Sequence, residues 1–142
     1  MRRRKLFYQT LLMFVMIAFV FASVPGSAQT ASDIKGTWSG SFQSVHHDME
    51  PFTMTVVISA NSSGHLVGVS DLVSECVRGV QLQVTVKGAN VVLAGSDAEG
   101  DSITLRGALD TSGTLLNLNY IVNGSASGKC ETDQGSGTLG KR

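Results

Sequence analysis

The side chains best suited to chemistry in this 142-residue sequence stand in one short segment, where two histidines adjoin carboxylates. His46, His47 and Asp48 are consecutive, and Glu50 follows two positions later. Imidazole and carboxylate groups are common ligands of metal ions. Successive side chains of a strand point to opposite faces, so both histidines reach one ion only if the segment is an irregular loop. A metal site at His46, His47 and Asp48 is therefore one hypothesis, and a solvated loop is the reading that the pattern favours.

A second group of carboxylates, Asp97, Glu99 and Asp101, surrounds Gly100. The segment lacks the glycine at the sixth position and the glutamate at the twelfth that a calcium loop requires. It therefore predicts an acidic hairpin turn. No pattern of serine, histidine and aspartate or of paired catalytic carboxylates is legible in the chain, so we expect a protein that is not an enzyme and needs no cofactor.

Two cysteines, Cys76 and Cys130, are the remaining reactive side chains. They do not form a CxxC pair, and no histidine or asparagine near Cys76 suggests a nucleophile. In an exported protein, two cysteines most simply form one disulfide. A bridge closing a loop of roughly 55 residues stabilises the fold by about 4 kcal/mol on the chain-entropy estimate.

Export is predicted by the start of the chain. Residues 2–5 are basic, residues 11–22 are uninterrupted and apolar, and small residues lead up to Ala28. These are the three parts of a secretory signal peptide, with cleavage expected after Ala28. A membrane anchor is the alternative, but twelve apolar residues fall short of the roughly 20 that a spanning helix needs. We expect residues 1–28 to be a signal peptide and the protein to be secreted or periplasmic.

Removal of the signal peptide changes the charge of the protein. The full chain has no net charge, whereas residues 29–142 keep seven basic and eleven acidic residues, a net charge of −4. A mildly acidic chain without a basic stripe excludes nucleic acid as an expected partner. It also predicts no stable membrane insertion after cleavage. The remaining 114 residues suit one domain.

Short alternating segments separated by turn residues run through residues 29–142, and no segment of useful length has a helical period. We predict eight strands, near residues 33–42, 52–58, 65–70, 80–86, 91–93, 103–109, 115–122 and 129–141. Their regular spacing indicates an all-β protein. Sequential hairpins and an even number of strands favour an eight-stranded antiparallel up-and-down barrel, because its first and last strands can pair and leave no open edge. A Greek-key β-sandwich is the alternative.

The first predicted strand contains the chain's one tryptophan, in the sequence Gly36-Thr37-Trp38. It resembles the start of the first strand in lipocalin-like and avidin-like barrels of the calycin type, which carry Gly-x-Trp there. Those families place an arginine or lysine of the last strand against the tryptophan, and Lys141 and Arg142 are the matching residues. The chain departs from lipocalins in lacking Thr-Asp-Tyr at residues 110–113. It also departs from avidin-like proteins in having one tryptophan, so the resemblance implies a barrel with a binding role but no particular ligand.

In an up-and-down barrel, alternate loops share one end. The loops near residues 43–50, 71–79, 97–101 and 123–128 would form the mouth, opposite the end that holds Trp38. Cys76 and Cys130 both fall at this mouth, but on strands that are not neighbours. The loop carrying Cys76 must therefore reach across the mouth as a lid to form the disulfide.

The same alternation gathers the carboxylates at the mouth. Nine are expected there, namely Asp48, Glu50, Asp71, Glu75, Asp97, Glu99, Asp101, Glu131 and Asp133. An acidic mouth attracts cationic ligands and repels anions. The candidate ligand-binding residues are five that we expect to face the lumen and three of the mouth carboxylates, namely Phe52, Met54, Val84, Leu105, Tyr120, Asp97, Glu99 and Asp101.

Three functions are compatible with these observations. The leading hypothesis is an exported barrel that binds a small apolar or cationic ligand in its lumen or mouth. The second is an interaction module or inhibitor that contacts another protein through its acidic loops. The third is a metal-dependent enzyme using His46 and His47.

Overall fold

The computed structural model describes residues 34–46, 50–72, 76–77 and 79–142. Eight β-strands make up this part of the chain: β1 (Gly36–Ser44), β2 (Phe52–Ala60), β3 (Leu66–Leu72), β4 (Gln81–Lys87), β5 (Asn90–Ser96), β6 (Ser102–Leu109), β7 (Leu115–Asn123) and β8 (Asp133–Lys141). The predicted signal peptide, residues 1–28, lies outside the described residues. Within those residues, no helix is long and apolar enough to cross a membrane.

The strands close into a barrel in which every neighbour pair is antiparallel. β8 pairs with β1, so that Lys141 lies opposite Trp38 and Gly135 opposite Ser44. This pairing confirms the up-and-down barrel and excludes the Greek-key sandwich. It also removes the open edges through which an unclosed sheet pairs with other chains.

Several strand boundaries differ from the prediction by one to three residues, and the largest difference is at the start of the last strand. β8 begins at Asp133 rather than near Lys129. The cause is that the backbone N–H groups of Lys129 and Cys130 donate to the carboxylate of Asp101 and are not available to a strand ladder. Residues 124–132 therefore form a loop at the mouth.

Because apolar and polar residues alternate along the strands, the aliphatic side chains point inward and fill the barrel. On β7 the even positions Leu116, Leu118, Tyr120 and Val122 are all buried, whereas the odd positions are exposed. Burying such a side chain contributes roughly 1.5–3 kcal/mol relative to leaving it in water. The matching inward positions of the other strands complete one continuous core.

Glycines on β8 make room for the aromatic rings of the core. A Cβ atom at Gly137 would lie 2.5 Å from Cδ1 of Phe42, and one at Gly135 would lie 2.6 Å from Cε1 of Tyr120. Both distances are far inside van der Waals contact. The backbone carbonyl oxygens of Gln43 and Ser41 on β1 lie closer still to these two positions, so the close approach of β1 and the packing of the rings together require glycine at both.

The closed end of the barrel holds Trp38, which is fully buried. Its Nε1 donates to the carbonyl oxygen of Ile34 at 2.7 Å, and Nζ of Lys141 stands 5.4 Å from the ring centroid. A cation over an indole contributes about 0.5–2 kcal/mol. Of the two predicted partners, Lys141 makes this contact, whereas Arg142 donates from Nε to the hydroxyl of Ser39 on the outer face.

Candidate functional site

A partly open cavity of about 340 Å³ lies at the mouth of the barrel. Its apolar lining comes from β2, β6, β7 and the loop carrying Cys76, and its charged lining from the neighbouring loops and the first residue of β8. The lining residues are Glu50, Phe52, Cys76, Val77, Ile103, Tyr120, Val122, Lys129, Glu131 and Asp133. The volume is at the lower end of the range for small-molecule sites, about 300–1,000 Å³.

Only part of the predicted lumen is accessible. Phe52 and Tyr120 line the cavity, as the sequence predicts for a lumen site. Met54, Val84 and Leu105 do not line it, because they pack in the filled core, where each is at most 8% exposed. Among the described residues, inward aliphatic side chains form the filled core below this cavity.

Three aromatic rings support the cavity wall. Phe42 and Phe52 are stacked with centroids 5.3 Å apart, and Tyr120 meets them edge-on at 5.7 and 5.1 Å respectively. Stacked and edge-to-face arrangements of this kind stabilise beyond the area they bury, by about 0.5–1.5 kcal/mol per pair. The cluster gives Phe52 and Tyr120 fixed positions at the edge of the cavity.

A buried carboxylate, Asp133, lies beside these rings and is 8% exposed. The Tyr120 hydroxyl donates to its Oδ2 at 2.5 Å, and the Ser44 hydroxyl donates to its Oδ1 at 2.6 Å. Ser44 in turn accepts a hydrogen bond from the backbone N–H of His46 at 2.9 Å. The ends of β1, β7 and β8 are joined by this network.

The network fixes the ionisation of both titrating groups. Burial alone would raise the pKa of Asp133, but hydrogen bonds from Ser44, Tyr120 and the backbone N–H of Gln134 outweigh burial and hold that pKa below its usual value, with a smaller contribution from the charge of His46. Burial and the neighbouring Asp133 raise the pKa of Tyr120 to about 12. At neutral pH, Asp133 is therefore an anion and Tyr120 a neutral hydrogen-bond donor.

A disulfide ties the lid to the opposite side of the mouth. Cys76 and Cys130 are bonded, with their Cα atoms 4.9 Å apart, which confirms the predicted pair. Val77, the next residue, is 1% exposed and adopts a left-handed backbone conformation with φ of 45°. Both Cys76 and Val77 line the cavity, so these two residues lie at the mouth, while the narrowing of the mouth by their loop stays a prediction.

Asp101 holds in place the loop that carries Cys130, the second cysteine of the disulfide. Its carboxylate accepts hydrogen bonds from the backbone N–H groups of Ser125, Lys129 and Cys130 at 2.6, 2.7 and 2.9 Å. These bonds, led by that of Ser125, lower the pKa of Asp101. A Cβ atom at Gly128 would lie 1.8 Å from Oδ1 of Asp101, so only glycine allows the loop to close around this carboxylate.

The three carboxylates near Gly100 that were predicted to bind a ligand lie in different environments. Asp101 is buried within the loop, and Asp97 accepts the backbone N–H groups of Glu99 and Asp101 to form the hairpin turn. Glu99 is exposed, and none of the three lines the cavity. Asp133, Glu131 and Glu50 do line it, and the sequence singled them out only as members of the acidic mouth. Nothing in the local sequence distinguishes the carboxylates that line the cavity from those that do not.

The strand order gathers the carboxylates at one end, as predicted. Seven of the nine expected at the mouth are described, and all seven lie in or beside the mouth loops. Asp110 is the one described carboxylate at the closed end, where hydrogen bonds from the Ser112 hydroxyl and the backbone of residue 115 lower its pKa to about 2. Asp33, Asp48 and Glu75 lie outside the described residues.

Of the three residues in the metal-site hypothesis, the structure describes one. His46 is exposed beside the mouth, whereas His47 and Asp48 are not among the described residues. The described part of the chain contains no group of three histidine, cysteine, aspartate or glutamate side chains able to hold a metal ion.

A second concavity lies on the outer face of β1 and β2. Its lining is mainly hydroxyl groups and the end of the chain, namely Thr37, Ser39, Gly40, Ser41, Thr53, Met54, Thr55 and Arg142. It offers no aromatic or buried charged group, in contrast to the mouth cavity. The mouth is therefore the better candidate for binding an apolar molecule.

The fold defines the class as a closed eight-stranded antiparallel barrel, and solved structures share that fold. EF1p2_mFAP2b, solved bound to DFHBI, superposes with a TM-score of 0.57 at 15% identity, covering 81% of this chain and 98% of that one. A protein of unknown function from the DUF3598 family of Nostoc punctiforme gives a TM-score of 0.51 at 13% identity, covering 81% of this chain and 50% of that one. No family model matches the sequence. No curated protein matches it either.

Proposed function

We propose that the protein is an exported binding barrel that holds a small, mainly apolar molecule in the mouth cavity. The observation that carries the proposal is the cavity itself, about 340 Å³ in volume and walled by Phe52, Ile103, Tyr120 and Val122. An apolar pocket with a few converging polar groups is the usual form of a small-molecule site. A barrel of similar fold, EF1p2_mFAP2b, binds DFHBI, which supports a ligand-binding role for this architecture.

The acidic mouth supports a preference for ligands that carry positive charge. Glu50 and Glu131 are exposed at the edge of the cavity, and Glu99 lies on a neighbouring loop. Charges of one sign around an opening raise the local concentration of oppositely charged molecules. This steering is screened within about 10 Å at 0.1 M salt, so we expect association to slow as salt is added.

Export is supported by the disulfide, since such bonds persist mainly outside the reducing cytosol. The predicted signal peptide agrees with that location, and the net charge of −4 after its removal disfavours nucleic acid as a partner. We propose binding rather than catalysis as the activity. The partner would be a small molecule, and a protein bound through the acidic loops remains the alternative outcome.

A matched pair of substitutions on β7 tests the proposal. Val122 lines the cavity, whereas Ile121 points outward and is 45% exposed. The probe is the neutral dye Nile red, titrated into the oxidised protein and followed by fluorescence. Val122→Trp should fill the cavity and weaken dye binding at least about tenfold, a change of about 1.4 kcal/mol. Ile121→Trp should leave binding unchanged.

Thermal unfolding shows whether each variant folds, and Val122→Phe replaces Val122→Trp if the larger ring prevents folding. Equal binding by the two variants would contradict a site in the cavity. Failure of the wild-type protein to bind the dye, together with co-purification of a protein in native mass spectrometry, would favour the interaction module instead.

A further inference from the structure

Asp133 has an unusual environment for a carboxylate. It is 8% exposed and lines the cavity, and within the described residues its side-chain partners are the hydroxyls of Ser44 and Tyr120 rather than a lysine or arginine. The charged neighbour that acts on it is the imidazole of His46, which is exposed. The buried part of the cavity wall, which is otherwise apolar apart from the Tyr120 hydroxyl, therefore contains a fixed negative charge.

Such an anion favours a positive partner. Moving a carboxylate out of water is costly unless it is hydrogen-bonded and paired with an opposite charge. The two hydroxyls supply hydrogen bonds but no formal charge. The backbone N–H of Gln134 donates to the same carboxylate. Each carboxylate oxygen has two lone pairs, so these three donors leave capacity for one further donor. The cavity is the side from which that donor can approach.

We infer that the cavity selects ligands in which a protonated amine is attached to an apolar body, with Asp133 as the counter-ion of the amine. The inference rests on the binding function proposed above and names the chemical class of its ligand. In the bound state the apolar body would lie against Phe52, Ile103 and Val122, which line the same cavity. Charge-assisted hydrogen bonds of this kind are about twice as strong as neutral ones.

An amine fits this site better than a metal ion or an anion. The Ser44 and Tyr120 hydroxyls use their protons on Asp133 and fix its orientation, whereas a metal would need several further anionic ligands. Among the described residues, three carboxylates line the cavity, Glu50, Glu131 and Asp133, against one ammonium group, that of Lys129. An anionic ligand would therefore meet net repulsion.

Two probes of nearly equal shape, one charged and one neutral, isolate the effect of the ligand's charge on its affinity. 1-Naphthylmethylamine is a cation at neutral pH, and 1-naphthylmethanol is its neutral counterpart. Isothermal titration calorimetry of the oxidised full-length mature protein with each probe gives the ratio of the two affinities. A hydrogen bond to a charged group contributes about 1.5–3 kcal/mol, so the amine should bind about ten- to a hundred-fold more tightly than the alcohol.

Variants locate the group responsible. Asp133→Asn should abolish the preference for the amine while the alcohol still binds. The double variant Glu50→Gln/Glu131→Gln removes two exposed charges and should lower the preference by no more than about fivefold for each charge, because an exposed ion pair contributes about 0.2–1 kcal/mol. Far-ultraviolet circular dichroism and thermal unfolding verify that each variant is folded. If Asp133→Asn does not fold, the wild-type ratio and the double variant decide the question.

The outcomes separate this inference from the function on which it rests. Equal affinity of the wild-type protein for amine and alcohol would overturn amine selection and leave the binding function standing. A preference that survives Asp133→Asn but disappears in the double variant would overturn the role of Asp133. Binding of neither probe would count against the binding function itself.

Discussion

Breaking the Cys76–Cys130 bond is the perturbation whose effect follows most directly from the structure. The two residues are 54 positions apart in sequence. The chain-entropy relation gives a stabilisation of about 4 kcal/mol for a loop of this length at 25 °C. For a domain of about 110 residues, that loss corresponds to a fall in melting temperature of about 15 °C.

Two independent routes break the bond. Cys76→Ala/Cys130→Ala removes it by substitution, and tris(2-carboxyethyl)phosphine removes it by reduction of the wild-type protein. Urea unfolding, followed by the fluorescence of Trp38 at the far end of the barrel, gives the free energy of unfolding in each case. The two routes should give similar losses, because both release the same loop in the unfolded chain.

Ligand binding should respond as well, because Cys76 and Val77 line the cavity. Without the bond, Val77 remains as the apolar anchor of the lid, and we expect Nile red to dissociate faster. A stability loss below about 1 kcal/mol would refute the chain-entropy reasoning. An unchanged dissociation rate would show that the bridged loop does not control access to the cavity.

Two further predictions concern packing and charge. Gly137→Ala should lower the free energy of unfolding by about 1–3 kcal/mol, because its Cβ would overlap the Phe42 ring and the Ser41 carbonyl. Gly140→Ala on the same strand, whose Cβ would have no neighbour closer than 3.8 Å, should stay within about 0.5 kcal/mol of the wild type in urea unfolding; equal losses would contradict the packing account. Stability should also fall as the pH drops below about 4, because folding lowers the pKa of Asp101, Asp110 and Asp133 and the unfolded chain then binds more protons. At alkaline pH, folding raises the pKa of Tyr120 to about 12, against 10.0 for the free side chain. Its contribution to the free energy of unfolding should therefore be complete below pH 10 and be lost as the pH rises through 12. A urea midpoint that does not change across the acidic or the alkaline range would contradict these assignments.

The sequence predicted the architecture well because the architecture depends on local patterns. Alternation on β7, turns rich in glycine and asparagine, and a Gly36-Thr37-Trp38 start are all short-range signals. They were sufficient for eight strands and for the closure of β8 on β1. The resemblance carried by the tryptophan motif implied a contact of Trp38 with Lys141 or Arg142, and Lys141 makes it. The disulfide followed from there being two cysteines.

The site was less predictable, because it depends on contacts between distant loops. Asp101 and Glu131 look equivalent in sequence, yet Asp101 is buried under three backbone N–H groups and Glu131 is exposed at the cavity. The network of Asp133 joins residues that are 89 and 13 positions apart. Period-two alternation also cannot tell which inward positions meet a cavity and which meet other side chains. Met54 and Leu105 were therefore predicted as ligand contacts, but the structure places them in the core.

The central claim is that the mouth cavity is the binding site, and a nuclear magnetic resonance titration tests it most directly. 1-Naphthylmethanol is added to ¹⁵N-labelled oxidised protein, and backbone amide shifts are recorded. The account predicts that the largest changes occur at Phe52, Ile103 and Val122, which line the cavity. Changes centred instead on the outer groove at Ser39 and Thr55, or no changes at saturating probe, would contradict it.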